Sequence, residues 1–546
     1  MKILYDELGG TLTIPTPHNP TPLEVHPIYE ISETLSTSLG PSGCDKIIQT
    51  EDLEIIVTND GATIMSNLDH HSLFVSMDAD SPTVKASMNA VLKIIVELSQ
   101  AQDVNVGDGT TSVVIIASAL LKNLKNLQEK GEHPMRIIKN MEKVMFEIEE
   151  FIRGKAITAD FNKEAIKAAK TALYSKIVSF KTPISTEDSK SSISSIFFRK
   201  TDEKNLADEN EGEISKLCLD AVNLVRQEDE LDLSSIKIVS KPGASISKSV
   251  LVDGILLDKS FSHPSMAKKR KGLIGLLAAP LELPKPKTKT DFSIKNGAEF
   301  QEYELFEKNE FSKIIRILKE KNIKILLCQY GFEDELTSML AENDIMAVRW
   351  VGGTEMENVA LLLGANIAAR IENIEPKEGE IEEIQFGTEN EKMLKVMTSE
   401  KEKVSKICTI FVRGSTEMTI KESERSIHDA LCAVRNLLKD RNIVYGGGAI
   451  ESDVSNFLAE QAKFFPEMSE IFIAFSRGIQ EIPRVLLRNQ GMELSDLSKL
   501  GNKIGITGDM SELGVFETVN SKLSQIRMAK EVCCRLLKID EVISID

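Results

Sequence analysis

Val106-Gly107-Asp108-Gly109-Thr110-Thr111-Ser112 runs straight into Val113 to Leu127, where apolar residues keep helical spacing. The stretch therefore reads as a glycine-rich loop feeding a helix N-terminus. The glycines let backbone approach a ligand, the helix start offers unpaired N–H groups to phosphate, and the hydroxyls add donors. Asp108 would be misplaced beside phosphates unless a cation sat between them. Mg²⁺ is bound in that way, through one or two carboxylates plus substrate phosphates. Taken alone, the motif also fits an ordinary Thr/Ser helix cap after a Gly-Asp-Gly turn, which is the commoner use of such residues.

Upstream, apolar positions from Pro27 to Leu39 repeat at helical spacing and stop at Gly40-Pro41, a pair that ends helices. Ile55-Ile56-Val57-Thr58 reads as a short strand running into Asn59-Asp60-Gly61, which has the chemistry of a hairpin turn. A helix is expected from about Thr83 to Gln102. Downstream, residues 183–213 turn to Ser, Lys, Asp, Glu and Asn with few apolar anchors, which predicts a solvated surface loop. Strand-like runs at Ile236 to Val239, Ile255 to Leu257, Leu273 to Ala278 and Ile323 to Cys328 alternate with a helix at Glu299 to Lys321, an α/β pattern over 235–380. Within it, Pro284 to Lys289 is basic and proline-punctuated, the pattern of an extended surface connection. After Ser415 the chain is mostly helical: Met418 to Asp440, Ser452 to Phe464, Ile471 to Gln490 and Val515 to Leu537. No segment recurs at a fixed spacing, so a repeat architecture is unsupported.

The 546 residues exceed one hydrophobic core, and 42% hydrophobic with 27% charged side chains is an ordinary globular balance. With 66 basic against 84 acidic residues the net charge is −18, which repels phosphate backbones and anionic lipid, so neither nucleic acid nor membrane is an expected partner. Val113 to Leu121, broken only by Ser118, is well short of a membrane span, and acids interrupt the N-terminal run where a signal peptide is apolar. Seven cysteines without a C-x-x-C pair, mostly in apolar runs, read as reduced core residues of a cytoplasmic protein. The only Gly-Lys pair, Gly154-Lys155, is followed by Ala156, so no Walker A loop exists. Neither H-E-x-x-H nor G-x-S-x-G occurs.

Four blocks together resemble the motifs of the group II chaperonins in order and placement: Leu39-Gly40-Pro41, Thr58 to Ile64, Gly107-Asp108-Gly109-Thr110-Thr111, and Gly446-Gly447-Gly448-Ala449. The resemblance spans nearly the whole chain. Three further blocks look like one paralogue of the eukaryotic cytosolic branch: Asp258 to Pro264 with Pro284 to Lys289, Cys328 to Glu335 with Ala347 to Gly353, and Arg425 to Cys432. The resemblance implies a multidomain α+β chaperonin fold. A mostly α-helical equatorial domain would come from 1–150 and 414–546, a small mixed intermediate domain from 151–234 and 381–413, and an α/β apical domain with a helical protrusion from 235–380. It also implies ATP and Mg²⁺ as ligands, paralogous subunits in a hetero-oligomeric double ring as partners, and unfolded proteins as clients.

Site roles follow by motif. Leu39, Gly40 and Pro41 would line the phosphates through backbone, Asp108 would hold Mg²⁺, and Gly109, Thr110, Thr111 and Ser112 would hold the phosphates. Asp60 and Asp429 would flank the attacking water, with Asp429 as general base, and Gly61 joins the nucleotide set. Gly447, Gly448 and Glu517 would meet base and ribose, and Lys176 would sense the γ-phosphate. Residues 69–87 look longer than the family's, 183–213 is extra, and Leu497 to Gly505 is shortened near Asn489-Gln490-Gly491, differences tolerable at surface loops. Three functions compete: an ATP-hydrolysing chaperonin subunit, a chaperonin-like interaction protein without ATPase activity, and an unrelated ATPase or kinase. Retention of Asp60, Asp108 and Asp429 favours the first, and no small-molecule motif is visible in 235–380.

Overall fold

The computed structural model describes residues 3–5, 11–13, 21–22, 25–50, 53–68, 82–174, 176, 207–226, 230–283, 296–386, 392–398 and 407–542. Of the expected extra segments 69–87 and 183–213, residues 69–81 and 183–206 lie outside these residues, as does the basic connection Pro284 to Lys289. The chain divides into two compact units, Met1–Leu219 with Lys421–Asp546, and Asp220–Ile420.

The first unit is built around the helix Thr110–Glu129. Val113, Val114, Ile115, Ile116, Leu120, Leu121 and Leu124 are all buried, so this helix is apolar on nearly every side and has to be enclosed. Helices Ser469–Asn489 and Val519–Lys538 pack against it, and Ala449–Phe464 packs on the former. Gly478 permits the closest approach, since a Cβ there would lie 3.1 Å from the Leu120 Cα. His26–Ser36 and Pro82–Asn105 cover further sides. Halves of the chain hundreds of residues apart thus share one core, which is why neither half folds its apolar face away alone.

Three expectations are corrected here. Asn59-Asp60-Gly61 is not a hairpin turn: the hairpin joins Lys46–Gln49 to Ile55–Thr58 upstream, and Gly61–Leu68 is a helix. Asp60 caps it, accepting from the Thr63 backbone N–H at 2.9 Å and the Thr63 hydroxyl at 2.7 Å. Val515 to Leu537 is not one helix either. Phe516–Thr518 is a strand beside Asn442–Tyr445, which also pairs with Ile157–Thr158, and the helix begins only at Val519. Finally, the helix Ala207–Val225 starts inside the segment expected to be loop, so 207–213 are helical. Its later turns bury Ile214, Cys218, Leu219 and Val222, and their packing extends the helix back through a polar stretch.

The second unit carries a six-stranded mixed sheet in the order Met346–Val348, Ile323–Cys328, Lys269–Leu277, Lys377–Gln385, Lys392–Thr398, Ile255–Leu257. The first three strands are parallel and the rest antiparallel. Parallel strands need crossover helices, and Gly297–Glu320 and Asp334–Glu342 supply them. A smaller sheet places Cys408–Gly414 between Ile236–Pro242 and Val250–Asp253. The chain is therefore a multidomain α+β protein. Among the described residues all seven cysteines are free; five are buried, Cys534 is half-buried and Cys44 exposed.

Candidate functional site

Within the first unit a cavity of about 610 Å³ opens among segments far apart in sequence. That is an ordinary volume for a small-molecule site. Its wall includes Leu39, Gly40, Pro41, Asp60, Asp108, Gly109, Thr110, Thr111, Ser112, Lys176, Asp429, Gly447, Gly448 and Glu517. Of the residues given a site role from sequence, Gly61 alone is not part of the wall. A Cβ on Gly61 would stand 2.7 Å from the Thr111 backbone nitrogen, so its bareness lets two helix N-termini meet.

One end of the cavity is the start of the Thr110–Glu129 helix. Gly109 is its N-cap, at φ +77°, and a Cβ there would collide with the Gln525 amide, so only glycine serves. The cap residue has no side chain to bond the first-turn N–H groups, and Thr110, Thr111 and Ser112 of that turn line the cavity. Asp108 is held from two sides: Ser521 Oγ donates to its Oδ2 at 3.0 Å and Gln102 Nε2 donates to its main-chain oxygen at 2.7 Å. The Leu39-Gly40-Pro41 turn is fixed by Asn489, whose Nδ2 donates to the Ser36 and Leu39 carbonyls at 2.8 Å each. Sequence reading assigns Asn489 no such task.

A second cluster surrounds Lys176, which is buried and donates to Asp429 Oδ2. Burial alone would lower the ammonium's pKa, but Asp429 and Asp60 outweigh it and hold it above its ordinary value. For Asp429 burial dominates, pushing the carboxyl up to about 7; Lys176 pulls it down while Asp60 and Asp108 push it further up. Asp60 behaves oppositely. Burial works to raise it, but Lys176 and hydrogen bonds from Thr63 and Thr110 prevail and hold it below the usual carboxylate range. Thr110 Oγ1 donates to Asp60 Oδ1 at 3.1 Å, which ties this cluster to the helix start. Two carboxylates a helix start apart are therefore poised differently, one firmly ionised and one able to exchange a proton near neutrality.

At another part of the wall stands a trio that sequence reading reached only through Glu517. Lys522 Nζ lies 2.6 Å from Glu451 Oε1 and 2.5 Å from Glu517 Oε2. Burial pushes Glu517 up to about 7 against the pull of Lys522, with Glu451 and Asp108 adding to the rise. The same two glutamates hold the Lys522 ammonium above its ordinary value despite burial. The sequence signal for this trio was slight: Glu451 follows the glycine run by three residues and Lys522 follows Glu517 by five.

Comparison with known proteins agrees with the geometry. A family model described as the TCP-1/cpn60 chaperonin family matches residues 31–187 and 181–546. T-complex protein 1 subunit epsilon of Encephalitozoon cuniculi is 39% identical over 540 residues, covering 95% of this chain and 92% of that protein. Thermosome subunits of Pyrococcus abyssi and Pyrococcus horikoshii are each 31% identical over 540 residues, covering 94% of this chain and 89% of theirs.

Proposed function

Because this chain belongs to the TCP-1/cpn60 chaperonin family, we propose that the cavity of its first unit binds Mg-ATP and hydrolyses it to drive protein folding. The chain is a subunit of an ATP-driven folding chaperonin, a reading its family membership supports. We assign it the epsilon position in a cytoplasmic, hetero-oligomeric double ring of paralogous subunits that encloses unfolded clients. Similarity to the epsilon subunit supports that assignment, and no helix among the described residues is long and apolar enough to cross a membrane. The three-domain division inferred from sequence, equatorial, intermediate and apical, is part of the same proposal.

The observation that carries the reading is convergence. Segments around residues 40, 60, 110, 176, 429, 447 and 517 bring an uncapped helix start, a tethered carboxylate and a lysine-linked carboxylate pair to one cavity. The N–H groups of the Thr110 helix and the turn at Gly40 would bind phosphate oxygens. Mg²⁺, held by Asp108 and by the nucleotide's own oxygens, would neutralise phosphate charge. Asp429, buried beside Asp60, would orient the attacking water and take its proton, and Lys176 would exchange its bond with Asp429 for the γ-phosphate.

Two variants in the assembled complex test this. Asp108→Ala is expected to abolish photolabelling of this chain by an azido-ATP probe. Asp429→Ala is expected to keep labelling and slow single-turnover hydrolysis at this chain by about 10²–10⁴-fold, the usual contribution of a general base. Wild-type turnover in the second variant would remove Asp429 from the chemistry, and unchanged labelling in the first would sink the binding assignment.

A further inference from the structure

One buried carboxylate beside the Lys176 cluster has no part in the roles above. Glu422, on the helix Glu417–Asp440 that also carries Asp429, is 1% exposed and is not among the residues that line the cavity. Its Oε2 accepts from Arg425 Nη1 at 3.1 Å, while its Oε1 is buried with no hydrogen bond of ordinary geometry among the described residues. Burying a carboxylate so thinly supplied with donors is costly, so its position needs a reason. The pair with Arg425 does not supply one. Residues three apart on a helix pair as well at the surface, and the Arg425 side chain is itself partly exposed.

The other groups that bear on Glu422 come from two distant segments. Burial raises its carboxyl above the ordinary pKa, and the Thr58 hydroxyl, the Lys176 ammonium and Arg425 pull it back. Thr58 is fully buried at the end of the strand Ile55–Thr58, and its Oγ1 accepts the Asp60 backbone N–H at 3.1 Å. A hydroxyl that accepts on one side still has a proton to donate on the other, and Glu422 is the carboxylate it meets. Asp60 is therefore held at its main chain through Thr58 and at its carboxylate by Thr63 and Thr110. Lys176, which donates to Asp429, has Asp60 and Glu422 as further negative neighbours.

We propose that Glu422 is a positioning residue for hydrolysis: by drawing the Thr58 hydroxyl proton toward itself it turns the Thr58 oxygen to the Asp60 N–H, and its charge helps to hold the Lys176 ammonium beside Asp429. The proposal rests on the Mg-ATP reading of the cavity. It adds a residue that acts on the reaction without touching the nucleotide, so its loss should fall on the rate and spare affinity.

The test is rapid-quench hydrolysis at this chain in the assembled complex over a range of ATP concentrations, with azido-ATP photolabelling as a separate measure of binding. Glu422→Gln keeps the shape and removes the charge; its maximal rate is expected to fall about tenfold, with half-saturation within about twofold of wild type. Thr58→Val should slow the reaction at least about threefold, and Thr58→Ser, which keeps the hydroxyl, should recover most of the rate. The combined Glu422→Gln, Thr58→Val chain should be within about twofold of Glu422→Gln alone, because the hydroxyl has already lost its charged partner. Wild-type turnover in Glu422→Gln overturns the proposal, as do effects of the two substitutions that multiply. A Thr58→Ser chain as slow as Thr58→Val also overturns it, and this arm leaves Glu422 in place, so it decides the matter even where Glu422→Gln does not assemble. A loss confined to affinity would make Glu422 part of binding and would overturn the positioning role. No labelling of the wild-type chain would instead refute the nucleotide reading on which the proposal stands.

Discussion

Asp429 holds a proton into the neutral range because burial costs its charged form more than Lys176 returns, and Asp60 and Asp108 add like charge nearby. A general base works only when ionised, so the direction of the pH dependence follows. Single-turnover hydrolysis at this chain is expected to rise as pH increases through about 7, the value at which Asp429 loses its proton. Lys176 lowers that value, so Lys176→Met should move the rising limb to higher pH. Asp60 contributes no limb in this window, since its carboxyl is already held below the usual range. The profile is measured by rapid quench at saturating ATP in complexes carrying each variant. A rate independent of pH between 6 and 8 in the wild type would contradict the role given to Asp429.

Between elements, the joint most exposed to test is the one where the end of Ser469–Asn489 holds the turn after His26–Ser36. Asn489 makes two hydrogen bonds there to main-chain carbonyls, and each is worth about 1 kcal/mol net. Asn489→Ala should loosen the Leu39-Gly40-Pro41 turn and raise KM for ATP by roughly tenfold with kcat nearly unchanged, because the role proposed for the turn is to bind phosphate and not to take part in the chemistry. An equal fall in kcat would place Asn489 in the reacting site instead. This joint also shows what sequence reading could and could not reach. Helices such as Thr110–Glu129 and strands such as Ile323–Cys328 are legible, since their apolar periods are local. Asp60 is ambiguous in sequence because the same residue suits a tight turn and a helix cap, and only the helix behind it decides. Phe516–Thr518 is hidden because three residues ahead of a long helix fit its pattern, and pairing with Asn442–Tyr445 overrides that pattern. The motif glycines and aspartates were visible, but their supports were not. Ser521 reaches Asp108 across 413 residues, and no local pattern records a contact of that separation.

For the whole molecule, the decisive surface is on the helix Gly297–Glu320. Its C-terminal half packs Phe311, Ile315 and Leu318 into the core of the second unit, while its N-terminal half leaves Phe300, Tyr303, Leu305 and Phe306 exposed. The pairs Glu304 with Lys308 and Glu310 with Lys313 support the helix without any cover. Four large apolar side chains on two exposed turns mark a surface that another surface meets. A lid over Lys287 to Phe311, formed by the helical protrusion that the resemblance implies, would contain these turns, and its first part, 287–295, lies outside the described residues. In the assembled complex, nucleotide-driven closure would bury this half-helix against neighbouring lid segments. Limited proteolysis should therefore cut between residues 297 and 311 readily without nucleotide, and at least tenfold more slowly with an ATP transition-state analogue. A Phe300→Ser, Phe306→Ser pair should abolish that protection while azido-ATP labelling of the cavity persists, because neither phenylalanine lines it. Protection that is equal with and without the analogue would make this half-helix a static part of the fold, and protection that survives both substitutions would mean the apolar turns are not what closes.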